Sequence, residues 1–149
     1  MVILATVDGT KQDDPTVRTG YEMAQAFETR LYLLHVIPDE EFEQHLEEVV
    51  PAEHRGDYSF TQAEGAASRL ARDVLESSLT VFESERVETI GRVGQPVVQI
   101  EDVAEDVGAN YLVIDGRKRS TISKAVFGDT AQQILHSAEL PVVTVMQQQ

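Results

Sequence analysis

Apolar and polar positions run along this chain in blocks, and the blocks change period. Val2–Val7 is a short, mostly apolar run that reads as a buried strand. A helical pattern follows. Asp14 is its expected N-cap and Pro15 its first residue, and Val17, Tyr21, Ala24 and Phe27 fall on one face. Leu31–Ile37 is a second buried strand, closed by Pro38. Residues 39–60 are rich in acid, include Pro51 and Gly56, and predict a mobile loop with a helical piece near Phe42–Val49. Thr61–Leu79 predicts a helix whose apolar face is Ala63, Ala66, Ala67, Leu70, Val74 and Leu75. Arg86–Gly91 predicts a third strand, with Val87, Thr89 and Gly91 alternating with Glu88 and Ile90. Gly94-Gln95-Pro96 opens a helix that runs through Val107, with Gly108 as its C′ residue. Tyr111–Ile114, a helix within Gly128–Ala138 and a strand within Pro141–Met146 complete the pattern.

Continuous apolar strands alternating with helices predict a parallel sheet covered on both faces, joined by right-handed crossovers. In an open sheet of this kind ligands bind at the carboxyl ends of the strands, where the strand order reverses. The places to look are the ends of the first and fourth strands, Asp8-Gly9-Thr10 and Asp115-Gly116-Arg117.

Composition narrows the function classes. With 149 residues the chain fits one domain with a real core. A formal net charge of −14 opposes general nucleic-acid binding, because the phosphate backbone would be repelled. No apolar run is long enough to span a bilayer, so no membrane role is expected. Met1–Asp8 lacks the basic start of a signal peptide, and the expected location is cytoplasmic. The absence of cysteine excludes disulfides and thiolate chemistry. Acid is spread widely and lysine is confined to Lys11, Lys118 and Lys124. That balance reads as adaptation to high salt, with an ordinary acidic protein as the alternative.

The charge is not uniform. Arg117, Lys118, Arg119 and Lys124 are four of only 12 basic residues, and they fall in eight positions without an acid. The cluster lies between a predicted strand and a helix N-terminus, where α/β folds bind phosphate. Ser120, Thr121 and Ser123 lie within it, as phosphate donors or as ordinary solvated loop residues. The other candidates are weaker. His35, His45, His54 and His136 have no metal-ligand spacing. His35 reads as a satisfied core histidine, His45 and His54 as solvated. Asp8 has a plain structural alternative, capping the turn after its strand. No Ser/His/Asp or paired-carboxylate arrangement follows from spacing.

Four segments together resemble a known family. They are Ile3-Leu-Ala-Thr-Val-Asp8-Gly-Thr10, Leu33-Leu-His-Val36, Val93-Gly94-Gln-Pro96 and Gly128-Asp-Thr-Ala131 followed by Leu140-Pro-Val-Val-Thr-Val145. In this order and spacing they resemble the universal stress proteins. The run Gly116–Ser120 followed by Lys124–Gly128 is similar to the haloarchaeal members in particular. The resemblance covers the chain apart from an acidic insert at about 39–60. It implies a five-stranded parallel open sheet of order 3-2-1-4-5 with helices on both faces, an adenine nucleotide α-hydrolase-like, Rossmann-like sandwich. It also implies a homodimer paired through the last strand, Pro141 to Met146.

Many members bind ATP, with Mg²⁺, through a Gly-x2-Gly-x9-Gly-Ser/Thr fingerprint. Aligned on Gly128, its first two glycines fall at Asp115 and Lys118, and its closing hydroxyl residue at Asp129. Gly116 is one place late, and so is Thr130. The resemblance puts Asp8 and Val36 against the nucleoside, and Gly116, Arg117, Arg119, Gly128 and Thr130 around the phosphates. Two states of the loop remain open. Arginine side chains grip phosphate where glycine amides would have done so, or the aspartates and basic residues close on each other as a lid. The expected function is a stress-response regulatory module that binds ATP or a related adenine nucleotide, at most a slow incidental ATPase. The alternative is a dimeric scaffold without nucleotide, acting through protein contacts. A flavodoxin-like enzyme or electron-transfer protein would share the fold, but no serine- and threonine-rich phosphate loop follows the first strand here.

Overall fold

A computed structural model describes residues 1–8, 13–49, 60–116 and 128–146, with side chains for all of these but 45–49 and 60. Its centre is a five-stranded sheet of order β3-β2-β1-β4-β5. The strands are β1 (Val2–Thr6), β2 (Arg30–Ile37), β3 (Val87–Val93), β4 (Tyr111–Asp115) and β5 (Val142–Val145). Every neighbouring pair is parallel, as continuous apolar strands require when both faces are covered. The helices are α1 (Pro15–Ala26), α2 (Asp39–Val49), α3 (Phe60–Ser78), α4 (Pro96–Val107) and α5 (Asp129–Ser137).

Strand alternation splits the core into two layers. Ile3 and Ala5 of β1, and Val7 just after it, lie in one layer with Leu31 and Leu33, against Val17, Tyr21 and Ala24 of α1 and Ala71, Val74 and Leu75 of α3. Leu4, Leu34, Leu112 and Ile114 point to the other, against Ile100, Val103 and Ala104 of α4 and Ala131 and Ile134 of α5. Ile3, Leu4, Leu31, Leu33, Leu34, Leu112 and Ile134 are fully buried. Burying side chains of this size contributes roughly 1.5–3 kcal/mol each, and a one-residue slip of a strand would exchange its side chains between two differently packed layers.

Local signals set most boundaries. Asp14 caps α1 and Pro15 starts it, as expected. Gly108 ends α4 in the left-handed conformation at φ 67°, where a Cβ would be strained. The Gln95 side chain caps the start of α4, accepting from the Val98 amide at 2.8 Å.

Four expectations change. Helix α2 begins at Asp39, directly after Pro38, and the Phe42 amide donates to the Pro38 carbonyl. Asp39, Glu40 and Glu41 in its first turn suit the positive end of the helix. The rest of the predicted acidic loop, residues 50–59, lies outside the described residues. Strand β3 begins one residue later and runs to Val93, because its register with β2 continues to Ile37. Arg86 instead belongs to a 3₁₀ turn, and its guanidinium donates to the Ala24 and Thr29 carbonyls. Leu70 is off the core face and 38% exposed, while Ala71 is buried. Helix α3 meets the sheet along the narrow line Ala63, Ala67, Ala71 and Leu75, which brings its backbone close to Gly91. Phe27 also leaves the core: it caps the end of α1, is 45% exposed and stacks on Tyr111 at 5.5 Å between ring centroids.

Candidate functional site

The strand order reverses between β1 and β4, and their carboxyl ends carry Asp8 and Gly116. Asp8 is 8% exposed. Beyond β1 the ladder continues through the Val7 amide to the Leu34 carbonyl at 2.9 Å, so Asp8 keeps the alternation of Leu4 and falls on the α4/α5 face. Val36, near the end of β2, packs on that same face. Gly116 continues the alternation of Leu112 and Ile114 onto it. Helix α5 covers this face through Ala131 and Ile134. Asp8, Val36, Gly116 and the first turn of α5 thus converge at one end of one face.

The two ends of the basic segment are stitched together. The Gly116 amide donates to the Val145 carbonyl at 3.0 Å, and the Gly128 amide donates to the Gly116 carbonyl at 3.3 Å. Gly116 is therefore part of the β4–β5 ladder. It anchors the loop, and its own N–H is already committed to Val145. Gly128 is the N-cap of α5, and it contributes no side-chain bond. Asp129 instead sits in the first turn, exposed like Thr130. Helices α1 and α4 have their first amides capped by Asp14 and Gln95. Among the described residues no side chain caps α5, and the amides of its first turn and the dipole behind them lie at the carboxyl end of the sheet. Backbone donors of this kind suit an anion. Arg117, Arg119, Lys118 and Lys124 lie outside the described residues, as do Gly9 and Thr10.

Two neighbours were not foreseen as parts of the site. Asp14 reaches back to the Asp8 amide at 3.3 Å, beyond its expected capping role. Ser78, from the end of α3, accepts the Asp14 amide at 2.9 Å. Nothing in the spacing of Asp8, Asp14 and Ser78 signals that the chain brings them together. His35 faces away from the site, on the layer of Leu31 and Leu33, and its Nδ1–H donates to the Val7 carbonyl at 3.2 Å. The bond satisfies it as the sequence suggests, but His35 is half-buried and not a core residue. His54 and the side chain of His45 lie outside the described residues. Among the described residues no three His, Cys, Asp or Glu side chains come together to hold a metal. An open groove of about 590 Å³ beside α3, lined by Ser68, Arg69, Arg72, Asp73 and Thr89, is far from these strand ends. No described helix is long and apolar enough to cross a membrane.

The family model of the universal stress proteins matches residues 1–146. The chain belongs to the universal stress protein family. A universal stress protein of Mycolicibacterium smegmatis is 28% identical over 148 residues, a match that covers 96% of this chain and 47% of that one. The chain thus spans about half the length of that relative. Among solved structures, a universal stress protein in complex with cAMP superposes with a TM-score of 0.63 at 18% identity, over 99% of this chain and 97% of the other. The family protein of Archaeoglobus fulgidus in complex with dAMP gives 0.53 at 20% identity, over 97% and 96%. At such identities these likenesses speak to the fold. They agree with the sheet order and the helices on both faces.

Proposed function

We propose that this chain is a non-catalytic stress-response module that binds an adenine nucleotide at the carboxyl end of the sheet, on the α4/α5 side. The observation that carries this reading is the convergence of Asp8, Val36 and the start of α5 at the β1/β4 switch point. Asp8 and Val36 hold the nucleoside. The first turn of α5, with Gly128 and Thr130, faces the phosphates, joined by Arg117 and Arg119. Relatives of the same fold are complexes with cAMP and dAMP, which supports an adenine ligand. The described residues build no metal cage, so Mg²⁺ would arrive on the phosphates of ATP and keep its own waters. No Ser/His/Asp or paired-carboxylate spacing stands in the sequence, and turnover is at most incidental. The module works in the cytoplasm, and its acidity suits high salt.

Titration calorimetry with Mg-ATP, AMP and cAMP in molar salt tests this reading. Saturable heat for at least one of them is expected. No heat and no competition at millimolar concentration would remove the nucleotide and leave the scaffold.

One observation favours a dimer under either reading. In β3 the Gly94 amide points to Ile37, so by alternation Thr89 and Gly91 present their backbone groups to the free edge. Both of those carbonyls are already covered: Thr89 accepts from the Ser68 hydroxyl at 3.2 Å, and Gly91 from the Arg92 guanidinium at 3.0 Å. In β5 the carbonyls of Pro141 and Val145 pair with β4, so Val142, Thr144 and Met146 face outward. Among the described residues no side chain covers them. An unpaired edge of this kind accepts another strand, and a second copy of β5 is the partner proposed. Thr144→Pro removes one outward N–H and spares the β4 ladder. It is expected to turn a dimer into a monomer by light scattering.

A further inference from the structure

Asp14 is built more elaborately than a helix cap needs. The residue is 1% exposed. One oxygen, Oδ1, accepts from the Thr16 amide at 2.9 Å and from the Thr16 hydroxyl, which completes the cap of α1. The other, Oδ2, is not needed for capping. It turns back six residues and accepts from the Asp8 amide at 3.3 Å. The Asp14 amide is itself held, donating to Ser78 Oγ at the end of α3. Burying a carboxylate is costly unless its oxygens are bonded, and here both are engaged. Asp8 N–H in turn is a buried donor that needs an acceptor.

The consequence is geometric. Asp8 lies past the last residue of β1, where the sheet no longer fixes its backbone on both sides. The Asp14 oxygen adds a constraint from outside the sheet. Through Ser78 that constraint is anchored on the α1/α3 side, while the Asp8 side chain falls on the α4/α5 side. We infer that Asp14, braced by Ser78, is a positioning residue that sets the stance of the Asp8 carboxylate at the nucleotide site. This inference rests on the nucleotide reading above and adds to it how the site is held.

The test uses the full chain and three readouts. Asp14→Asn keeps an oxygen for the Thr16 amide, since Asn caps helices as well as Asp does. It replaces the second oxygen with a donor that faces the Asp8 N–H. Thermal unfolding should shift by only a few degrees. The Asp8 amide should exchange its hydrogen at least about tenfold faster, and the dissociation constant for Mg-ATP or cAMP, whichever binds the unaltered chain, should rise about tenfold. Ser78→Ala, which leaves the carboxylate intact, should give a smaller change in the same direction and serves if Asp14→Asn fails to fold. In an Asp8→Ala background, Asp14→Asn should add no further loss, because the group being positioned is gone. A general loss of structure would weaken binding in both backgrounds and overturn the inference. Unchanged affinity in Asp14→Asn and Ser78→Ala, with the unaltered chain binding normally, would overturn it alone. No binding by the unaltered chain would overturn the nucleotide reading, and this inference with it.

Discussion

Gly91→Ala is expected to destabilise the fold by about 3 kcal/mol, the upper end for an overpacked core position. A Cβ built on Gly91 would lie 2.1 Å from the Glu64 carbonyl oxygen, 2.5 Å from the Ser68 amide nitrogen and 2.7 Å from the Ala67 Cβ. The first two are backbone atoms of α3 and cannot rotate away. The helix must lift off β3, and the buried contacts of Ala63, Ala67 and Ala71 loosen with it. The Ser68 bonds to Thr89, which cover the β3 edge, are lost in the same movement. In a chain of this size the melting midpoint should fall by roughly 6–12 °C. Gly65→Ala on the same helix is the control, because a Cβ there meets only the flexible end of Arg69 at 3.7 Å. It should stabilise by roughly 0.5–1 kcal/mol, as alanine replaces glycine inside a helix. Denaturant unfolding of both variants checks the pair. Equal midpoints would show that α3 does not approach β3 as closely as described.

Asp8→Ala should leave the fold standing and weaken adenine-nucleotide binding by about 2 kcal/mol, roughly thirtyfold. A carboxylate that accepts hydrogen bonds from a ligand is worth more than a neutral acceptor. Asp8 is close enough to the surface to be removed without opening a large cavity, yet buried enough that its bonds to a ligand are not dissolved in water. Calorimetry measures the loss, and circular dichroism checks that the sheet survives. An Asp8→Ala chain that binds as tightly as the unaltered one would move the nucleoside elsewhere.

Much of this was legible in the chain. The continuous apolar runs of β1, β2 and β4 announce a parallel sheet because both of their faces are buried. Asp14-Pro15 and Gly108 mark helix ends through chemistry that acts within a few residues. What could not be read is set by contacts far apart in sequence. Leu70 looks like a core residue by period, and only the alanine line over Gly91 shows why it is left outside. The position of β3 depends on its partner β2 rather than on its own residues. At the site, Asp8 was legible as a strand end, whereas Val36 came only from the family resemblance; the register of the strands brings the two side by side. Gly116 was visible as a loop residue, but its bond to Val145 depends on β5, some thirty residues later by the ordinary reach of a parallel crossover. The tie between Asp14 and Asp8 was hidden because spacing says nothing about a loop that turns back on itself.

The most direct test of the central claim follows backbone amides during titration with Mg-ATP and cAMP. Binding at the switch point should shift the amides of Asp8, Val36, Asp129, Thr130 and Ala131 together, at one ligand per chain. Shifts confined to other surfaces, such as the groove beside Arg69 and Arg72, or none at millimolar ligand, would contradict it.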